Sequence, residues 1–500
     1  MTQKNRRRNT EERPASGIAG LDDVLSGGFA RGRTFLLEGN PGTGKTTIAL
    51  QFLMAGARAG ERGLYLTMSE TENELRSSAD SHGWNLAGIE IFELAPRETL
   101  LGEDQQQSLL YSSDLELGET TRQIFEAFER AKPDRVVIDS LSEIRLLAQS
   151  SLRYRRQILA FKHFFAQRAA TVLMLDDLTT DVADKSLHSI AHGAIRLEEL
   201  APEYGADRRR LRVLKYRGSR FRGGYHDFVI ETGGVRVFPR LVSAEHRRAF
   251  RRDVLKTQST ALDALLGGGI ERGSSVLVLG PAGAGKSILA LTLVKSAIQR
   301  GEKVAMFIFD EEIGLLVDRA RGFDIGLAAM QKKGKLALTQ IDAAELTPGE
   351  FSSRVRDCIE SYGARTIVID SLSGYQAAMP EERALILHMH ELLQFCNRSG
   401  ATTILTVAQH GLLGDTRAPI DLTYLADTVI LLRYFEARGE VRRAISVVKK
   451  RTSAHENTIR EYALYSRGIS LGKPLANFHG VLGSVPEIVG AVPAPPGRGS

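Results

Sequence analysis

The chain has 500 residues, 43% of them hydrophobic and 25% charged, which is ordinary globular usage and enough for about two to four domains. A formal charge of +6 is a small excess over that length and does not call for a nucleic-acid partner. No run approaches the ~18 consecutive apolar residues of a membrane span. The two cysteines, Cys358 and Cys396, have the spacing of neither a zinc site nor a disulfide framework, so a cytoplasmic setting is expected.

Residues 1–13 carry Lys4, Arg6, Arg7, Arg8 and Arg13 without an apolar stretch. They read as a disordered basic arm, because a secretory signal needs an apolar core. A first domain is expected over residues 14–240. It opens with Gly17-Ile18-Ala19-Gly20-Leu21-Asp22 and Gly27-Gly28, then the apolar run Thr34–Glu38. Gly39-Asn40-Pro41-Gly42-Thr43-Gly44-Lys45-Thr46 follows, and Thr46–Ala59 has helical spacing up to a stop at Gly60. Leu64–Met68, Val136–Ile138 and Thr171–Leu175 are further apolar runs without polar alternation, the pattern of strands buried on both faces of a parallel sheet.

The polar stretch Arg240–Asp253 separates this domain from a second, expected over residues 250–485, that repeats it. Ser259–Asp263 and Gly267–Gly269 answer the opening. Ser275–Leu279 precedes Gly280-Pro281-Ala282-Gly283-Ala284-Gly285-Lys286-Ser287, and a helix is expected over Ser287–Arg300 with a stop at Gly301. Strands are expected at Val304–Phe309, Thr366–Ile369 and Thr402–Val407. Val136–Ser142 matches Ile367–Ser373, and Val213–Arg217 matches Val447–Arg451. Four matched segments in one order make an internal duplication. Residues 486–500, rich in Pro and Gly, read as a disordered tail. The fold class expected is α/β, with two tandem RecA-like P-loop domains, each a mostly parallel sheet flanked by helices.

The two Gly-rich loops have the GxxxxGK[ST] spacing, between strand and helix, that cradles nucleotide phosphates. Their glycines let backbone amides turn inward, and the following helix adds the positive end of its dipole. Lys45 and Lys286 are then expected on the β and γ phosphates of ATP, and Thr46 and Ser287 on Mg²⁺. Asp139 and Asp370 end apolar strands, where a carboxylate needs a partner; water held on Mg²⁺ supplies one. Just after the second strand of each half lie the candidates for activating water: Asp310 and Glu311, with Glu312 beyond, in the second half, and Glu70 alone in the first, where Ser69 replaces the other acid. That asymmetry predicts unequal turnover at the two sites. Lys215 with Arg217, and Lys449 with Arg451, are candidate fingers for a neighbouring subunit's γ-phosphate.

Together these features resemble the KaiC family of clock ATPases and autokinases. The resemblance covers roughly residues 14–490 and rests on the duplicated loops, the two IDSLS segments, Lys215-Tyr216-Arg217, Ala426–Tyr434, Arg438-Gly439-Glu440, Arg443-Ala444-Ile445 and Lys449–Arg451. It implies a homo-hexameric double ring with ATP between subunits, hydrolysis in the first domain and Ser/Thr autophosphorylation in the second. It also implies a KaiB-like regulator and a sensor histidine kinase as partners. The family's paired glutamates fall on Ser69-Glu70 and Asp310-Glu311, and its two adjacent phosphate acceptors on Thr423 and Tyr424. The alternatives are a RecA-type DNA-dependent motor, whose phosphate contacts would be Arg208-Arg209-Arg210 and Arg212, and a nucleotide-gated signalling scaffold.

Overall fold

The structure is a computed structural model that describes residues 13–94, 112–178, 185–202, 205–257, 259–376, 379, 381–409, 422–466, 468–481 and 487–488. The basic arm at residues 1–12 and the tail after residue 488 lie outside the described residues. The chain divides into two compact units between Arg240 and Leu241.

In the first unit the strands are β1 (Thr34–Gly39), β2 (Gly63–Thr67), β3 (Ile89–Glu93), β4 (Arg135–Asp139), β5 (Thr171–Asp177), β6 (Gly193–Leu200), β7 (Arg208–Tyr216), β8 (His226–Glu231) and β9 (Gly234–Phe238). They form one sheet in the order β3-β2-β4-β5-β1-β6-β7-β8-β9. Pairing is parallel from β3 to β6 and antiparallel from β6 to β9. The central strands β1, β2 and β4 are buried at every residue, because helices cover both faces. Successive side chains serve opposite cores. Leu37, Tyr65, Val137, Leu173 and Leu175 pack with the helix Lys45–Arg58. Leu36, Leu64, Leu66, Val136, Ile138, Val172 and Met174 pack on the other side with Ile158, Phe161 and Phe165.

The second unit starts with a short ribbon, β10 (Val254–Leu255) and β11 (Ile270–Glu271). Its sheet contains β12 (Ser275–Gly280), β13 (Lys303–Ile308), β14 (Leu336–Gln340), β15 (Ala364–Asp370), β16 (Thr402–Ala408), β17 (Thr428–Ala437), β18 (Glu440–Lys450), β19 (Arg460–Tyr465) and β20 (Gly468–Pro474). The order β14-β13-β15-β16-β12-β17-β18-β19-β20 repeats the first sheet strand for strand. Register is kept as well: Gly39 faces Asp177 as Gly280 faces Ala408. The duplication read from the residues is therefore one of three-dimensional structure.

The expected elements shift by a residue or two. The helices run Lys45–Arg58 and Lys286–Gln299, and each ends just before a glycine of positive φ, Gly60 at 79° and Gly301 at 90°. The change that matters for the site is β5, which continues past Leu175 through Asp176 and Asp177. Two acids look like the start of a loop, but each has a partner here. Arg145 holds Asp176 at 2.8 Å and Lys45 holds Asp177 at 2.7 Å.

One buried cation fastens the first core. Arg135, at the start of β4, donates from Nε to Glu61 Oε2 at 2.5 Å and from Nη1 to the carbonyls of Ala15 and Phe52, each at 2.8 Å. Arg135→Ala would leave Glu61 and these carbonyls short of a donor. We expect it to lower first-domain stability by about 3–5 kcal/mol. Urea unfolding followed in that domain measures this, and a loss below about 1 kcal/mol, the ceiling for an exposed pair, would contradict it.

Candidate nucleotide sites

Parallel α/β sheets bind ligands at the carboxyl ends of their strands, and both Gly-rich loops lie there. Gly42 and Gly44 have φ of 84° and 94°, and Gly283 and Gly285 have 73° and 93°. A side chain at these positions would be strained, so the four glycines keep the loops in the shape that presents amides to an anion. Lys45 Nζ folds back on its own loop, donating to the carbonyls of Gly39 at 2.8 Å and Asn40 at 2.9 Å. Lys286 donates to the carbonyl of Pro281 at 2.9 Å. Burial lowers the Lys286 pKa, against the fields of Asp370 and Asp310. Residues 39–46 and 280–287 thus form two preorganised candidate phosphate cradles with a lysine held in each.

The strand-end aspartates lie beside the cradles, each with a hydroxyl partner. In the first site Tyr65, buried on β2, donates to Asp139 Oδ2 at 2.5 Å and also touches the hydroxyl of Thr46. In the second site Thr406 on β16 donates to Asp370 Oδ1 at 2.5 Å. The two hydroxyls come from opposite flanks of the central strand: β2 neighbours β4 on one side, and β16 neighbours β15 on the other. Neither was singled out from the residues. The signal was available, since a tyrosine interrupts an apolar strand where the second half has Met306. Burial first, opposed by Tyr65, and then the field of Asp177 raise the Asp139 pKa. A cation on the Asp139 carboxylate would relieve that cost. The donor set of Thr46 with Asp139, and of Ser287 with Asp370, therefore fits Mg²⁺.

The water-activating candidates differ between halves. Glu70 is fixed at the end of β2 by its backbone, which exchanges hydrogen bonds with Thr67 Oγ1 at 2.7 and 3.1 Å. Burial, then the fields of Asp139, Glu74 and Asp177, raise its carboxyl pKa. Asp310 accepts a hydrogen bond from the Ser371 hydroxyl, in the turn after β15. Glu311 is engaged by Arg319 at 2.6 Å. Glu312 is a helix cap: its carboxylate accepts from the amides of Gly314 at 2.8 Å and Leu315 at 3.0 Å.

The candidate fingers make the same contacts in each unit. Lys215 donates to the carbonyls of His188 and, at 2.7 Å, Ala191, while Arg217 donates to the Ser189 carbonyl at 2.5 Å. Lys449 donates to the carbonyl of Thr423 at 2.7 Å and Arg451 to that of Tyr424 at 2.5 Å. Lys215 and Arg217 thus hold the end of the short helix Lys185–Ile190, and Lys449 and Arg451 the turn at Thr423-Tyr424, each segment leading into the strand beside the phosphate-loop strand. Thr423 and Tyr424 lie in that turn of the second unit, and Tyr424 is 48% exposed. Carbonyls use hydrogen-bond donors but leave the charge of the cation intact. Lys215 has further cations near it: after burial, Arg217 and Lys162 lower its pKa.

The arginine run on β7 has carboxylate partners on β6. Arg209 meets Glu199 and Arg210 meets Glu198, each at 2.8 Å, and Arg210 and Arg212 lie over the Tyr225 ring. This hairpin uses its own acids and aromatic ring where a DNA motor would need phosphates. Among the described residues no helix is long and apolar enough to cross a membrane.

A family model described as the KaiC ATPase matches residues 15–242 and again 255–476. The circadian clock protein KaiC3 of Synechocystis sp. is 28% identical, covering 95% of this chain and 94% of its own length. The circadian clock oscillator proteins KaiC of Thermostichus vulcanus and Synechococcus elongatus are 27% and 26% identical, each covering 94% of this chain, and 90% and 91% of their own lengths. With both halves matched by one model, each around its own Gly-rich loop, the chain belongs to the KaiC family of ATPases.

Proposed function

We propose that this protein is a KaiC-like ATPase that binds ATP with Mg²⁺ in both domains, assembles as a homo-hexameric ring, and phosphorylates its own Thr423 in the second domain. The observation that carries the reading is the turn Thr423-Tyr424, held through its carbonyls by Lys449 and Arg451. An acceptor hydroxyl is thereby tied to the two cations that a ring would bring to a neighbour's phosphate. KaiB-like and sensor-histidine-kinase partners follow from the family relation and belong to the same proposal.

At each site the loop amides and Lys45 or Lys286 bind and orient the phosphates. Mg²⁺, held by Thr46 and Asp139 or by Ser287 and Asp370, would neutralise charge on the β and γ oxygens. In hydrolysis Glu70, or Asp310 with Glu311, takes a proton from water as the water oxygen bonds to the γ phosphorus. The bond to the β–γ bridging oxygen breaks, and ADP leaves with that electron pair. In autophosphorylation the Thr423 hydroxyl replaces water, and the second-site carboxylates take its proton.

The test uses γ-labelled ATP with Mg²⁺ and site mapping by mass spectrometry. We expect label on Thr423, absent from Thr423→Ala and reduced about 10²-fold or more in Glu311→Gln. ATP hydrolysis without label at any residue would leave an ATPase scaffold and sink the autokinase reading.

A further inference from the structure

We propose that Asp177 supplies, from the end of β5, the second water-orienting carboxylate that the first site lacks at Ser69. The proposal rests on the reading of the first domain as an ATPase and names the missing group of that site. Among the described residues the acids that act on the phosphate-loop lysine come from different strands in the two halves. The second site has Asp310 and Glu311 after β13, with Asp370 on β15. The first has only Glu70 after β2, with Asp139 on β4. At the end of β5, opposite the first glycine of the cradle, stands Asp177, where the second unit has Ala408.

The position is occupied by a charge in contact with the site. Asp177 Oδ1 lies 2.7 Å from Lys45 Nζ, and the lysine side chain is only 8% exposed. In the second site the acids whose fields act on Lys286 are Asp370 and Asp310. Asp177 thus takes the electrostatic place that Asp310 has in the second half. Ser142, in the first turn of the helix Leu141–Ala148, accepts from the Asp177 amide at 3.2 Å as Ser373 accepts from the Ala408 amide at 3.2 Å, and in the first site its hydroxyl also reaches Asp177 Oδ2 at 3.4 Å, so the carboxylate adds a contact to a backbone bond that both halves share. The field of Asp177 reaches both Glu70 and Asp139, so the three carboxylates form one group around the cradle. When phosphate takes over Lys45, the Asp177 carboxylate is released beside the γ-phosphate. There it accepts a hydrogen bond from the attacking water while Glu70 takes the proton.

The experiment uses the full chain with the second cradle silenced by Lys286→Ala, and measures phosphate release dependent on Lys45. In that background Asp177→Ala and Asp177→Asn should each lower kcat by about 10²-fold, with a much smaller change in KM for ATP. Adding Ser69→Asp to Asp177→Ala should restore turnover to within about tenfold of the parent, because the acid returns at the place the second domain uses. A packing role for Asp177 would not be rescued from another strand. An Asp177→Ala chain that binds ATP more tightly with kcat unchanged would make Asp177 a competitor of phosphate for Lys45 and overturn the proposal. So would failure of Ser69→Asp to rescue. If Lys45→Ala has no effect on the parent, the ATPase reading of the first site falls as well; if Lys45→Ala abolishes turnover and Asp177→Ala does not lower it, only the present proposal falls.

Discussion

Glu70→Gln, in a chain whose second cradle is silenced by Lys286→Ala, is expected to cut ATP turnover by about 10²- to 10⁴-fold with little change in KM. The amide keeps the shape of the side chain and cannot take a proton. The same carboxylate should set the acid limb of the pH profile. Burial and the fields of Asp139, Glu74 and Asp177 raise its pKa, so it becomes protonated at a higher pH than an ordinary glutamate would. A base works only when deprotonated; first-site turnover should therefore fall on acidification earlier than an unperturbed carboxylate predicts. Glu70→Gln should remove that limb along with the rate. Phosphate release followed across pH measures both. A Gln variant within twofold of the parent, with an unchanged acid limb, would remove Glu70 from the chemistry.

The residues disclosed the architecture because it is repeated. An apolar run, a Gly-rich loop with Lys and Ser or Thr, and a second apolar run ending in Asp each leave a signature in one dimension, and each occurs twice in order. The two sheets share one strand order, as a repeat requires, but that order itself was not legible in the residues. What stayed hidden were the partners that arrive from another strand. Tyr65 reaches Asp139 across the sheet, and Thr406 reaches Asp370 from the opposite flank. Sequence distance gives no clue to either pairing, since 74 positions separate Tyr65 from Asp139. Asp176 and Asp177 were hidden for a different reason. Acids usually end a strand, because burying a charge costs several kcal/mol unless it is paired. Here Arg145 and Lys45 pair them, and burial still pushes the Asp176 carboxyl up to about 6. Aligning the halves by register, with Ala408 opposite Asp177, is what exposes the substitution.

Arg451→Ala should lower second-site turnover by about 10³-fold or more, the scale of a cation that stabilises transferring phosphoryl charge. Two physical origins would give such a loss. Arg451 could act in its own subunit, since it holds the Tyr424 carbonyl at 2.5 Å and its removal would loosen the turn. It could instead act on the neighbour's γ-phosphate, with the turn fixing its direction. The guanidinium has donors to spare for a phosphate once one is engaged by a carbonyl, and Asp427, 3.9 Å away, is too distant to neutralise it strongly. Mixing separates the two. Arg451→Ala chains have an intact cradle, and Lys286→Ala chains have an intact finger. With Glu70→Gln in both chains to silence the first site, each is inactive alone. In a head-to-tail ring of equal parts, about one interface in four pairs a good cradle with a good finger. Turnover should then return to about a quarter of the parental second-site rate. Loss confined to the subunit that carries the mutation gives no recovery on mixing, and would place Arg451 as an anchor of its own turn with no part in a shared site.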